Sequence, residues 1–278
     1  MALSRRRAFS SRPYLVGIVV VVAAVVAGGL WYWYGSRDAG DVADGEGTVG
    51  DTTAVLDTAG REDLPELDAS DELVRRLAEG LSSRPDLAEW LATDGLIRRF
   101  VGATVLVAAG RSPREEVEFL GPEGDFRAEP TGETVDLDTV AAPVSVVDTA
   151  SYHRYDAVAA TVASLETEGT AELYGRLRPL FQDAYRELGF RDRSFHVVLA
   201  RAVETLLAVP VPEEPVEVLP TGGTAFEYRD PRLEALSPAQ KHLLRMGPDN
   251  IRRVQAKLRE LAEALDLPML TGASSSSG

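Results

Sequence analysis

Three histidines, His153, His196 and His242, are the side chains best suited to move a proton near neutral pH. His153 stands three residues before Asp156, and Asp192 stands four before His196. On a helix either separation brings carboxylate and imidazole to one face, where the acid could orient the ring for base catalysis. In a chain with 44 acidic residues such pairs arise freely, so neither marks a catalytic site by itself. A three-histidine metal site requires all three to converge from distant positions. Cysteine is absent, which excludes disulfides, thiolate catalysis, iron–sulfur clusters and cysteine zinc sites. No P-loop, H-E-x-x-H, G-x-S-x-G or S-x-x-K motif occurs. Gly45-Glu-Gly-Thr-Val-Gly50 matches G-x-G-x-x-G, but no strand precedes it, no helix follows, and the neighbouring acids would repel a phosphate. Asp41, Asp44 and Glu46 lack the spacing of a calcium loop. Glu213-Glu214, between Pro212 and Pro215, reads as a proline-guarded strand edge rather than a glycosidase pair. No catalytic, cofactor-binding or metal-binding residue is therefore assigned, and the expectation leans away from an enzyme.

Charge is more informative. The net charge of −15 conceals a division: Met1 to Arg37 holds five arginines and no acid, leaving 24 basic against 44 acidic residues in the remainder. A body that acidic repels a polyanion, which argues against nucleic-acid binding. One stretch departs from this balance. Lys241, Arg245, Arg252, Arg253, Lys257 and Arg259 fall close together, with Asp249 the only acid before Glu260. They form a candidate interaction face for anionic headgroups or an acidic partner, against the plainer reading that they pair with surplus carboxylates.

The elements that must position these residues are mostly helices. Asp68 to Asp71 offers N-caps before Leu73, Val74 and Leu77, and Gly80 is a stop. A short helix is expected near Pro85 to Leu91. A third, capped by Thr93 or Asp94, runs through Leu96, Ile97, Phe100, Val101, Val105 and Val107 to Gly110. Ser151 to Leu165, Ala171 to Leu188 with a kink at Pro179, and Phe195 to Ala208 continue the pattern. Ser237-Pro-Ala-Gln240 is a capping box with proline at the first helical position, and Gly247-Pro248 stops that helix. Ile251, Val254, Leu258, Leu261 and Leu265 make a single-face stripe on the last helix, expected to bury in the domain's own core. Two hairpins are expected: Val117–Leu120 with Phe126–Glu129, and Val216–Leu219 with Ala225–Tyr228. A shift of 99 residues superimposes Ala109, Pro113, Glu115, Val117, Glu118 and Leu120 on Ala208, Pro212, Glu214, Val216, Glu217 and Leu219. This suggests a pseudo-twofold repeat whose hairpins pair into one small sheet. The fold class is mainly α, with a minor α+β component and an N-terminal transmembrane helix.

That helix is expected from Tyr14 to Tyr34, a run without charge. Its 21 residues at ~1.5 Å each span about the hydrocarbon thickness of a bilayer. Tyr14 and Trp31-Tyr32-Trp33-Tyr34 supply an interfacial aromatic belt. Arg5, Arg6, Arg7 and Arg12 precede the span and only Arg37 follows closely, so the positive-inside rule places the N-terminus in the cytoplasm and the body outside. The span reads as an anchor rather than a signal cleaved after Val25-Val26-Ala27. Ala24 and Gly28, four apart, read as small residues tolerated in lipid rather than as a helix-pairing motif. The expected organisation is a cytoplasmic N-terminus over 1–13, the span over 14–34, an acidic linker over 35–63, the body over 64–267 and a low-complexity tail over 268–278.

Leu96-Ile-Arg-Arg-Phe-Val101, Leu177-Arg-Pro-Leu180 and the long block Ala235-Leu-Ser-Pro-Ala-Gln-Lys-His-Leu-Leu-Arg-Met-Gly-Pro248 resemble the bacterial family catalogued as domain of unknown function 3014. The likeness covers roughly Leu64 to Leu265. It implies a membrane-anchored envelope protein of mainly Gram-negative bacteria with a periplasmic body, and carries no activity or catalytic residue. The expected function is a binding or scaffolding module of the cell envelope, held at the inner membrane, with the bilayer and an envelope protein as partners. The alternative is a periplasmic enzyme acting on an envelope polymer or small ligand.

Overall fold

Helices built on apolar stripes enclose one main core, and a small sheet closes one side of it. The structure, a computed structural model, describes residues 63–121, 124–137, 140–222 and 225–268. The expected span, its aromatic belt, the linker up to residue 62 and all of the tail beyond residue 268 lie outside these residues. Among the described residues no helix is long and apolar enough to cross a membrane. The order is a 3-10 turn at Leu67–Ala69, α1 Asp71–Leu77, α2 Pro85–Trp90, α3 Leu96–Ala108, a 3-10 turn at Glu118–Leu120, β1 Ala128–Leu137, β2 Val140–Val147, α4 Thr149–His153, α5 Asp156–Ala163, α6 Thr167–Glu187, α7 Phe195–Leu207, β3 Glu217–Gly222, β4 Ala225–Tyr228, α8 Pro231–Glu234, α9 Pro238–Leu244 and α10 Pro248–Ala264.

The centre of the core is α3. Leu96, Ile97, Phe100, Val101, Ala103, Thr104 and Val107 are all buried and share one broad face of the helix. The helix packs on α6 and α7, as a one-faced apolar stripe requires. Phe100 sits 5.1 Å from the Phe181 ring and 5.7 Å from the Phe195 ring, centroid to centroid. The stripe of α10 lands where expected: Ile251, Val254, Leu258 and Leu261 are buried, and the helix rests on α5, α6 and α7. The capping box at Ser237 and Gln240 is formed, and Gly247 separates α9 from α10 at φ +81°. α6 runs on as one helix through Pro179.

Several expectations are corrected. Val117–Leu120 is not a strand: Glu118–Leu120 is a 3-10 turn that drives Val117 and Leu120 into the core. The first hairpin is built later, from β1 and β2, so Phe126–Glu129 supplies only the start of β1. Sequence reading places no strand at 140–147, where the structure has β2, with Pro143 inside it. The structure accommodates the proline because β3 meets β2 only at Ser145↔Val218 and Val146↔Glu217, so no strand waits for the missing N–H. Ser151–Leu165 is two helices, α4 and α5, broken at Arg154 and Tyr155. Thr93 and Asp94 do not cap α3: its N-cap is Gly95 at φ +73°, and its free N–H groups are taken by Asp71 from α1, Gly95 N at 2.7 Å and Leu96 N at 2.9 Å.

The two hairpins do join into one antiparallel sheet of order β1-β2-β3-β4. The 99-residue shift holds through the helices, since α3 and α7 have equal length, begin 99 residues apart and pack on each other. It ends in the following segment, where one copy is a 3-10 turn and the other is strand β3.

Candidate functional site

The six basic residues of the expected interaction face do not share one environment. Lys241 pairs with Glu234 and lies 6.0 Å from the centre of the Tyr228 ring. Lys257 is buried and donates to Glu260 and to Thr167 Oγ1. Arg245 is half-buried beside Tyr228 and His242. Only Arg252, Arg253 and Arg259 are exposed, all on α10. Arg252 reaches Asp249 at 2.8 Å, and Arg253 reaches Asn250 Oδ1 at 3.4 Å. The same exposed side of α10 also carries Asp249, Glu260 and Glu263, so the three arginines face an equal number of acids.

Each histidine is held in place by a different partner. His153 is exposed, and its Nδ1 lies 2.9 Å from Asp156 Oδ2. The other oxygen of Asp156 accepts from Asn250 Nδ2 at 2.9 Å, and Asn250 also donates to the Tyr152 and Met246 carbonyls. Burial pushes the Asp156 carboxyl up, but the hydrogen bonds from Asn250 and His153 outweigh it and leave the group below its ordinary value. His196 does not use Asp192. Its Nδ1 meets the Tyr174 hydroxyl at 3.1 Å and its Nε2 the Asp266 carbonyl at 3.2 Å. His242 is buried, with Nε2 2.8 Å from Ser112 Oγ and Nδ1 enclosed without a hydrogen-bond partner among the described residues. Burial holds its imidazole well below the usual value, and Arg245 and Arg114 push the same way. The three do not converge, and among the described residues no group of side chains could hold a metal ion.

Around Arg245 the structure gathers groups that sequence reading missed. Tyr228 arrives from β4, Tyr152 and Tyr155 from the α4–α5 junction, and Ser112 from the loop after α3. Burial raises all three phenols, and Arg154 sits over the Tyr155 ring at 5.6 Å. Tyr228 and Leu233 touch both the main core and the small apolar cluster of Val147, Val216 and Val218 under the sheet. The cluster thus acts as a joint between sheet and helices. Its members lie far apart in the chain, so no local spacing announces it.

The β1–β2 hairpin carries a long run of exposed strand. Its distal half, pairing Thr134↔Pro143, Val135↔Ala142 and Asp136↔Ala141, extends past the paired residues of β2 and β3, with Ala142 and Val144 of β2 buried. A bulge between Pro130 and Thr134, with Gly132 at φ +85°, bends the strand there. Glu133 is tied back across the sheet to Arg229, which also holds Glu217. From Glu129 to Thr134 every residue of β1 is exposed, as is Asp136, and among the described residues no strand pairs with its outer edge.

A further opening lies at the start of the domain. A cleft of about 380 Å³ is lined by Leu64–Asp68, Arg98, Pro179, Leu180, Asp183 and Glu187. Arg98 spans it, reaching Asp68 and Glu187 at 2.7 Å each.

A family model described as "Protein of unknown function (DUF3014)" matches residues 96–262. No curated protein and no solved structure matches the chain.

Proposed function

The chain belongs to that family, and from this membership, which assigns no activity, we propose that it is a binding or scaffolding module of the bacterial cell envelope, tethered to the inner membrane. The span Tyr14–Tyr34 is the anchor, the arginines before it keep the N-terminus in the cytoplasm, and the body stands in the periplasm. One observation carries the binding role: the outer edge of β1 is exposed and unpaired among the described residues. An exposed strand edge presents free N–H and C=O groups, a template for pairing with a further strand. The polar side chains of the interior speak for the same reading. His196 and Asn250, with Gln182 and Gln255, spend their hydrogen bonds on holding helices and loops together.

The alternative, a periplasmic enzyme, draws on the chain Asn250–Asp156–His153, which orients an exposed imidazole through Nδ1. Affinity purification of the full-length protein from its native membrane, followed by mass spectrometry, separates the two. A reproducible envelope partner, absent when the anchor is kept and the body deleted, supports the module. No partner across several detergents retires it and moves the work to turnover assays on envelope polymers, with His153→Ala as control. The topology has its own check: protease added to intact cells should spare the body, and the same protease added to spheroplasts should remove it.

A further inference from the structure

The exposed edge of β1 has a definite chemistry. β2 alternates its main-chain bonds: Asp148 N donates to Arg127 O on the β1 side at 3.0 Å, and Val147 N donates to Val216 O on the β3 side at 2.9 Å. In the β1–β2 register, Ala128, Pro130, Thr134 and Asp136 stand opposite Val147, Ser145, Pro143 and Ala141, the positions of β2 that face β3. Their own N–H and C=O groups therefore point out of the sheet, away from β2. Pro130 has no N–H to offer and the Gly132 bulge breaks the line, so the receptive run is the stretch from Thr134 onward. The charged side chains of β1 are Glu129, Glu133 and Asp136, all acidic, and Arg229 occupies only Glu133.

We infer that the distal edge of β1, at Thr134 and Asp136, accepts an extended, lysine- or arginine-bearing segment of another protein as an added antiparallel strand. The inference rests on the binding-module reading and names its surface and the chemistry of its partner. Main-chain hydrogen bonds to Thr134 and Asp136 supply affinity, and the carboxylates of Glu129 and Asp136 select basic side chains beside them. A second copy of this chain is the wrong occupant, because edge-to-edge pairing of two β1 strands sets acid against acid.

The test uses the full-length protein in lipid nanodiscs, panned against a phage-displayed library of short random linear peptides. Enriched peptides should carry an excess of Lys and Arg, and one synthesised peptide should lose binding when its backbone is N-methylated. Thr134→Pro removes only an outward-facing N–H and should fold, yet weaken that peptide at least about tenfold. Glu129→Lys with Asp136→Lys should also weaken it by about tenfold while leaving the edge intact. Failure to enrich any peptide, enrichment without a basic excess, or equal binding by Thr134→Pro would each overturn the inference. If a partner captured from the native membrane is still captured by Thr134→Pro, the edge is wrong while the binding-module reading stands.

Discussion

Gly247 shows how much one residue can decide. It sits at φ +81°, and a Cβ added there would overlap the Tyr152 ring. The positive φ alone disfavours an L side chain, and here backbone and ring both oppose it. Gly247→Ala is expected to cost about 2–4 kcal/mol, read as a lower urea midpoint with an unchanged slope. His242 makes a prediction about pH. It is neutral when buried, while in the unfolded chain it titrates near about 6.5. Its folded value lies below the unfolded one, so as pH falls through 6.5 the unfolded chain gains a proton that the native state refuses. Stability is therefore complete above that pH and declines beneath it, by up to about 1.4 kcal/mol per unit from this one group. His196, also lowered by burial, adds in the same direction. Urea titrations between about pH 7.5 and 5.5 should show this slope, and His242→Gln should flatten it.

At the scale of the element, the two central helices are both capped from elsewhere. Asp71 of α1 takes the first N–H groups of α3, and Gln182 of α6 accepts from Phe195 N at the start of α7 at 2.9 Å. Gln182 also donates to the Arg193 carbonyl, which fixes the turn between α6 and α7. The far end of α7 is closed by Gln255 of α10, whose Nε2 donates to the carbonyls of Leu206, Leu207 and Val209. These bonds tie helix ends to neighbouring helices, so losing one loosens a packing contact as well as a terminus. Asp71→Ala should cost about 1–2 kcal/mol, the usual worth of an N-cap. Gln255→Leu keeps the volume but strands buried carbonyls, at about 1–3 kcal/mol. Hydrogen exchange should show the loss first at the start of α3 and at the end of α7 respectively. Protection lost evenly across the body would contradict both assignments.

For the whole molecule the deciding quantity is charge. The described ion pairs lie mostly near the surface, as with Arg98–Asp68 and Arg252–Asp249, and such pairs contribute little. Self-repulsion within a body (64–267) of 36 acids against 23 bases acts over longer distances and is relieved by salt. Raising sodium chloride from about 0.05 to 0.5 M is therefore expected to raise the Tm, since screening removes more repulsion than attraction. A falling Tm would mean that the ion pairs outweigh the excess charge.

Much of this architecture was legible in the chain. Apolar periodicity located α3, α7 and α10, and the capping box and Gly247-Pro248 bounded α9, because these signals act within a turn or two of helix. The second hairpin was legible from its alternation and turn residues. The first was not. Val117–Leu120 alternates like a strand, but its apolar residues are worth more inside the core of α3 and its neighbours than in a ladder. β2 was not legible either: it contains Pro143, and a proline is acceptable in a strand only where the neighbouring strand leaves its N–H side unpaired, which is a fact of three dimensions. The candidate site divides in the same way. Composition alone determined that the body is acidic and cysteine-free, and sequence spacing alone put His153 beside Asp156. Only the tertiary structure turned Lys241 and Lys257 toward Glu234 and Glu260, joined His242 to Ser112, and left β1 with an edge that no strand pairs among the described residues. Those partners come from segments far apart in the chain, and local periodicity carries no information about which distant carboxylate, hydroxyl or strand will arrive.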